Sequence, residues 1–146
     1  MKDMIKVEKL TKKYGSHTAV DEINLSVKRG TVFGLLGANG AGKTTTIECI
    51  LGTKKADHGT VSIMGMDPHK QRKKIFQKVG VQFQEAAYQD KITVSELCEF
   101  TASLYKSTTD FMELLSEFGI SDKLKSPVEE LSGGQKQRLS VALALL

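Results

Sequence analysis

The sequence predicts an α/β fold, in which a parallel sheet is joined by an antiparallel β part and by a helical part. Three observations support this prediction. The run "TVFGLL", residues 31–36, is almost continuously apolar and is bounded by glycines, as expected of a strand buried on both faces. The segments that follow it alternate strand and helix patterns. From Thr93 onwards the pattern is helical.

Residues 1–30 predict the antiparallel part. Apolar and polar residues alternate in "MIKVEKL" and again in "AVDEINLSVKRG", and the turn residues Gly15 and Ser16 lie between the two segments. We therefore expect two half-exposed antiparallel strands.

Residues 31–88 predict the α/β core. After "TVFGLL", a helix is expected from Gly42 to Leu51, ended by Gly52. "GTVSIMG" indicates a further strand, "PHKQRKKIFQ" a short basic helix and "KVGVQF" a third buried strand.

Residues 89–146 predict a helical subdomain. Thr93 and Glu96 form a T-x-x-E capping box at the start of the first helix. The second helix, in "DFMELLSEFG", stops at Gly119. After the polar linker "SDKLKSPVEE", the last helix opens at Ser132 and shows no stop signal. The apolar faces of these two helices are formed by Phe111, Leu114, Leu115 and Phe118, and by Leu139, Ala142, Leu143 and Leu146.

Length and composition limit the number of domains and the classes of protein that the sequence fits. The 146 residues fit one domain, and 21 basic against 17 acidic residues give a net charge of +4, well short of a nucleic-acid tail. Cys49 and Cys98 lie far apart without metal-ligand spacing, so reduced buried thiols are expected. The sequence contains neither a signal-peptide pattern nor an apolar run of 18 residues. We therefore expect a cytoplasmic chain.

"GANGAGKTTT", residues 37–46, indicates either an ordinary turn or a phosphate site. Gly37, Gly42, Lys43 and Thr44 fit G-x-x-x-x-G-K-[ST], between a predicted strand and a predicted helix, which favours the phosphate site. Glycine lets backbone N–H groups approach an oxyanion without a Cβ in the way, as at Gly40. The helix start adds partial positive charge, Lys43 reaches the β- and γ-phosphates, and Thr44 offers a hydroxyl to Mg²⁺. The next residue, Thr45, suits the α-phosphate.

"LSGGQKQR", residues 131–138, indicates a capped helix with something more. Ser132 and Gln135 form an S-x-x-Q capping box, but capping does not explain Gly133 and Gly134. Each glycine in a first helical turn costs up to about 1 kcal/mol relative to alanine, so we expect a second anion to approach this backbone closely.

These two motifs together resemble the ATP-binding domain of ABC transporters, and the likeness covers the whole chain. The resemblance implies a P-loop NTPase core and MgATP as ligand. It also implies that "LSGGQ" is the family's signature motif, at the start of the signature helix. Its residues Ser132, Gly133, Gly134 and Gln135 would then contact ATP held by a second, head-to-tail subunit. A membrane transport subunit is the other implied partner, with the chain peripheral on the inner face of the membrane. The segments "TVFGLLGANGAGKTTTIECILG" and "DHGTVSIMGMDP" together are most similar to the subgroup that serves bacterial drug, lipid or antibiotic exporters.

The resemblance assigns two further residues. Tyr14, at the end of the first strand, matches the aromatic residue that stacks on adenine, although such a residue alone would be a half-buried strand-end aromatic. Gln84 matches the glutamine that touches Mg²⁺ and the attacking water, with Gln82 as the competing candidate. The implied magnesium ligands are thus Thr44 and Gln84, and Lys43 and Gln84 are the catalytic candidates. The complete ATP-binding set is Tyr14, Gly37, Ala38, Asn39, Gly40, Ala41, Gly42, Lys43, Thr44 and Thr45.

Some expected parts of the family pattern are not found in the sequence. The catalytic glutamate and the switch histidine follow the signature helix in the family, and Asp67, which precedes it, does not fill either role. His17, His58 and His69 are expected to be surface residues, and the basic run Lys70, Arg72, Lys73 and Lys74 a solvated face. We therefore expect weak nucleotide binding at best and no hydrolysis by this chain alone.

The resemblance also implies that the parallel sheet is incomplete. The chain is then expected to be a domain truncated after the signature, to re-pair its strands, to swap with a copy, or to be marginally folded. Two other functions stay open at this point: a non-transport ABC-type ATPase and a catalytically inactive nucleotide-binding module. Nucleic acid is not an expected partner.

Overall fold

The computed structural model describes residues 3–82 and 88–146, which fall into two compact units, residues 1–76 and 77–146. The sequence-based division at residues 30/31 and 88/89 stays a prediction. No helix within the described ranges is both long and apolar enough to cross a bilayer.

The first unit is built on a three-stranded antiparallel sheet. β1 (Asp3–Tyr14) and β2 (His17–Lys28) form the predicted pair around the turn at residues 15 and 16. β3 (His58–Ile63) confirms the strand expected in "GTVSIMG", and it pairs antiparallel with the other edge of β1, so the order is β2-β1-β3. This strand therefore does not join a parallel sheet.

Two helices complete the first unit. α1 (Lys43–Ile50) follows the glycine-rich loop as predicted, contacts β2 and β3, and buries Cys49 and Ile50. Gly52, at φ +69°, follows its last turn. α2 (Arg72–Ile75) confirms the short basic helix.

The prediction of two buried strands is wrong for the residues that the structure describes. "TVFGLL" forms no strand and is exposed, with Val32 and Leu36 almost fully accessible. Residues 78–82 of "KVGVQF" are not in a strand either, and Phe83 lies outside the described residues. A central parallel strand needs a hydrogen-bonded neighbour on each side, and the described residues place no strand beside either segment.

The second unit is helical, as predicted. It contains α3 (Val94–Ser103), α4 (Phe111–Glu117), two 3₁₀ turns (Ser121–Lys123 and Val128–Glu130) and α5 (Gly133–Leu145). Its core combines apolar side chains from all three helices and the second turn. The buried members are Val94, Leu97, Cys98, Leu114, Leu115, Ile120, Val128, Leu131, Leu139 and Ala142.

Local signals in the sequence define the helix ends. Thr93 and Glu96 form both hydrogen bonds of the predicted capping box, and Gly119 has the left-handed φ of +63° that ends α4. Cys49 and Cys98 are free and buried, which confirms the prediction for both. Burial raises the pKa of both thiols, that of Cys98 to about 11.

Candidate functional site

The start of α1 differs from the other long helix starts in one respect: no side chain caps it. Its N-cap is Gly42, at φ +79°, whereas the side chains of Thr93, Asp110 and Ser132 accept amide hydrogen bonds at the starts of α3, α4 and α5. The first amides of a helix have no intrahelical acceptor. In the described part of the chain, the first turn of α1 is therefore left open to an acceptor from outside.

The glycines of the loop are present for two different reasons. A Cβ on Gly42 would collide with the carbonyl oxygen of Ala19, so the close passage of β2 itself requires glycine there. Gly40 has φ +84° and open space around it, so its backbone conformation alone favours glycine. The space beside the Gly40 backbone is consequently free of side chains.

Lys43 is held across the loop. Its Nζ donates to the carbonyl oxygens of Gly37, at 2.8 Å, and Ala38, at 2.7 Å. Both acceptors are neutral and exposed, so a phosphate oxygen offers the ammonium a stronger, charge-assisted partner. A positive charge is thus held against the carbonyl groups of two exposed loop residues.

Three threonines follow Lys43 in the first turn of α1. Thr44 is exposed and Thr45 is half-buried, while Thr46, whose amide donates to Gly42, is buried. Among the described residues, the Thr44 hydroxyl has no hydrogen-bond partner, so it is available as a ligand. Uncapped amides, one ammonium and one exposed hydroxyl are a donor set that fits a magnesium-bound triphosphate.

Tyr14 is at the end of β1, opposite His17, and 44% of its surface is exposed. The Nζ atoms of Lys12 and Lys54 each lie 5.5 Å from the centroid of its ring. Neither lysine belongs to the site residues predicted from the sequence. Lys12 could have been found, since residues i and i+2 of a strand share a face, but the sequence carries no signal for Lys54.

The signature residues form the predicted helix start. The Ser132 side chain accepts the amide of Gln135, and the Gln135 side chain accepts the amide of Ser132 at 2.9 Å. A Cβ on Gly133 would meet nothing within 4 Å, and one on Gly134 only the guanidinium of Arg138 at 3.9 Å. Neither glycine is therefore required by the packing of the described chain.

Comparison with known proteins decides the family. The ABC transporter family model matches residues 20–146. The chain belongs to the ABC transporter family. It is 38% identical to the bacitracin transport ATP-binding protein BcrA of Bacillus licheniformis, over 100% of this chain and 48% of that protein. It is 36% identical to the linearmycin resistance ATP-binding protein LnrL of Bacillus subtilis, over 98% of this chain and 48% of that protein.

A solved structure of an ATP-binding subunit of an ABC transporter matches with a TM-score of 0.86 at 26% identity, over 96% of this chain and 60% of that one. The likeness confirms the predicted fold class, a P-loop NTPase core with an antiparallel β part and a helical part. This ABC transporter chain spans about half the length of the curated relatives it matches.

The other residues considered from the sequence of this ABC transporter chain are Gln84, Gln82 and Asp67. Gln84, the assigned magnesium and water ligand, lies outside the described residues, and the competing Gln82 is exposed. Asp67 accepts the amides of His69 and Lys70, and these hydrogen bonds lower its pKa. Its carboxylate therefore stabilises a turn. Within the described residues, no three His, Cys, Asp or Glu side chains group as metal ligands.

Proposed function

We propose that this chain is the ATP-binding part of an exporter subunit and that it holds MgATP on the loop of residues 37–45. The observation that carries the proposal is the uncapped start of α1 behind a glycine-lined loop, with Lys43 at its mouth. Exposed amides, partial positive helix charge and an ammonium act together on a phosphate group.

In the proposed complex, Lys43 exchanges its two carbonyl acceptors for oxygens of the β- and γ-phosphates. The Ala41 amide gives up the carbonyl oxygen of Ala38, to which it donates at 3.2 Å. The amides of residues 40–45 then donate to the remaining phosphate oxygens, and Thr45 serves the α-phosphate. Thr44 would hold Mg²⁺ together with Gln84. The ion, when bound, neutralises charge that develops on the phosphates during transfer. Adenine stacks on the exposed ring of Tyr14.

The signature contributes to a second nucleotide. The packing of the described chain requires neither Gly133 nor Gly134, and the space beside both residues is open. An outside group can therefore approach their backbone closely. Ser132 and Gln135 keep the helix start rigid through their reciprocal hydrogen bonds. We infer that this surface contacts the γ-phosphate bound to the loop of a second ATP-binding subunit, in a head-to-tail dimer.

The relatives support the direction of transport. One is named for bacitracin transport and another for linearmycin resistance, which favours export over a non-transport role. We propose that MgATP binding and hydrolysis by the whole subunit drive export through an integral membrane partner, from the cytoplasmic side. The 146 residues alone bind nucleotide weakly and do not turn it over, because phosphoryl transfer requires a positioned water and a general base.

Calorimetric titration of the chain with MgATP tests the phosphate site. Lys43→Ala removes one or two charge-assisted hydrogen bonds of about 1.5–3 kcal/mol each, so affinity is expected to fall at least tenfold. Lys73→Ala, at an exposed position of α2, removes the same formal charge and serves as the matched control. Equal affinities of the Lys43→Ala and wild-type chains would contradict the proposal.

A further inference from the structure

The ring of Tyr14 lies beside two ammonium groups, and each belongs to an ion pair. Lys12 pairs with Asp57 at 3.1 Å, and Lys54 pairs with Glu48 at 2.8 Å. Both Nζ atoms are 5.5 Å from the ring centroid, which is within the range of a cation–π contact. The carboxylates therefore hold two cations against one aromatic ring.

The two lysines are held to different degrees. The Lys12 side chain is only 17% exposed, and its partner Asp57 is fixed by the amide of Lys13 at 2.7 Å. The Lys54 side chain is 42% exposed and has a single carboxylate partner, Glu48, on α1. Hydrogen bonding to Glu48 and to the Tyr14 side chain raises the pKa of Lys54, so its charge is retained. Lys54 is the more exposed of the two cations, and therefore the one more accessible to a ligand.

A stacked base and a cation exclude each other on one ring face. Stacked aromatic atoms approach to about 3.5–4 Å, so an ammonium above the centroid of that face has to move aside. Of the two cations at the ring, the more exposed Lys54 is the one that a base approaching from solvent meets.

We propose that Lys54 is a displaceable cover on Tyr14, which adenine must remove before it stacks. The inference rests on the proposed function, since it assumes that adenine stacks on Tyr14. Glu48 retains the displaced ammonium, so the exchange replaces a cation–π contact with a base–aromatic contact. Lys54 thereby sets how much the base, as distinct from the phosphates, contributes to affinity.

The test compares two ligands on the 146-residue chain: MgATP and magnesium tripolyphosphate, which carries the phosphates without a base. The quantity measured by calorimetry is the ratio of their affinities. Lys54→Met removes the cover, so the ratio is expected to rise about two- to fivefold, the equivalent of an exposed cation–π contact. Any general effect of losing one charge acts on both ligands and cancels in the ratio.

Two further variants act as controls. Lys54→Arg keeps the charge and stacks more strongly on an aromatic face, so the ratio is expected to fall below that of the wild type. Lys12→Met removes the better-held lysine, and the ratio is expected to stay unchanged. Circular dichroism of each variant checks that the chain is folded before titration.

The outcomes separate this inference from the proposed function. A ratio that is unchanged or lower in Lys54→Met overturns the cover, and so does a rise confined to Lys12→Met. If the wild type binds tripolyphosphate as tightly as MgATP, adenine stacking and the cover both fail while the phosphate site stands. If it binds neither ligand, the proposed function itself fails.

Discussion

Replacing Gly134 by alanine is expected to stabilise the fold and to impair the function. Gly134 lies in the first turn of α5 without a left-handed φ, and an added Cβ would have only Arg138 within 4 Å, at 3.9 Å. Alanine in place of a helical glycine gains about 0.5–1 kcal/mol of unfolding free energy. For a chain of this length, that gain corresponds to a rise in Tm of about 1–4 °C.

Gly119→Ala provides the matched control for this measurement. Its Cβ would also meet open space, but Gly119 has φ +63°, so alanine is expected to destabilise the chain by about 1–2 kcal/mol. Thermal unfolding followed by circular dichroism distinguishes the two variants by the sign of the change in Tm. A lower Tm for Gly134→Ala would refute the reasoning, because it would show that the fold of this chain needs the glycine.

The functional half of the prediction concerns the assembled transporter. In the proposed head-to-tail dimer, a methyl group on Gly134 would stand where the γ-phosphate of the partner-bound nucleotide approaches the helix start. The expected result is at least a tenfold loss of ATP turnover, equivalent to the loss of a hydrogen bond to a charged group. Turnover equal to that of the wild type would show that the open backbone is not used.

Three other predictions concern the fold that supports the site. Gly40→Ala is expected to lower the free energy of unfolding by about 1–2 kcal/mol, because of its left-handed φ alone. Gly42→Ala is expected to lower it clearly more, because the added Cβ also collides with Ala19. Equal midpoints of urea unfolding for the two variants would contradict this order. Since burial raises the pKa of Cys98 to about 11, iodoacetamide at pH 8 should label it slowly until urea unfolds the chain, and fast labelling of the folded chain would argue against the buried core. Hydrogen bonds from Thr93 lower the pKa of Glu96 below its usual value of 4.5, so they stabilise the folded chain fully above that pH, and this stabilisation is lost as the pH falls through the lowered pKa. Glu96→Gln should therefore make Tm depend less steeply on pH in the acid range. An unchanged dependence of Tm on pH would contradict this.

The features that could be predicted from the sequence are those encoded within a few residues. The capping boxes at Thr93 and Ser132, the turn at residues 15 and 16, and the glycine that ends α4 all depend on local hydrogen bonds or on one backbone angle. The glycine-rich loop belongs to the same class, since its motif specifies both the turn and the helix that follows it.

The features that could not be predicted depend on partners distant in the chain. "TVFGLL" has the composition of a buried strand, but residues 31–36 are exposed. Composition alone does not determine which strands would pair with this segment. The same limit applies to β3, whose pattern predicted a strand but not its antiparallel pairing with β1. The contact between Lys54 and Tyr14 joins residues 40 positions apart, and no local pattern marks it.

In the proposed function, the uncapped amides at the start of α1 bind the phosphates of ATP together with Lys43. Its most direct test is an amide NMR titration of the chain with millimolar MgATP. Shifts are expected to be concentrated in residues 37–45 and to be lost in Lys43→Ala. Amide resonances that stay in place throughout this loop, in a chain shown to be folded, would contradict it.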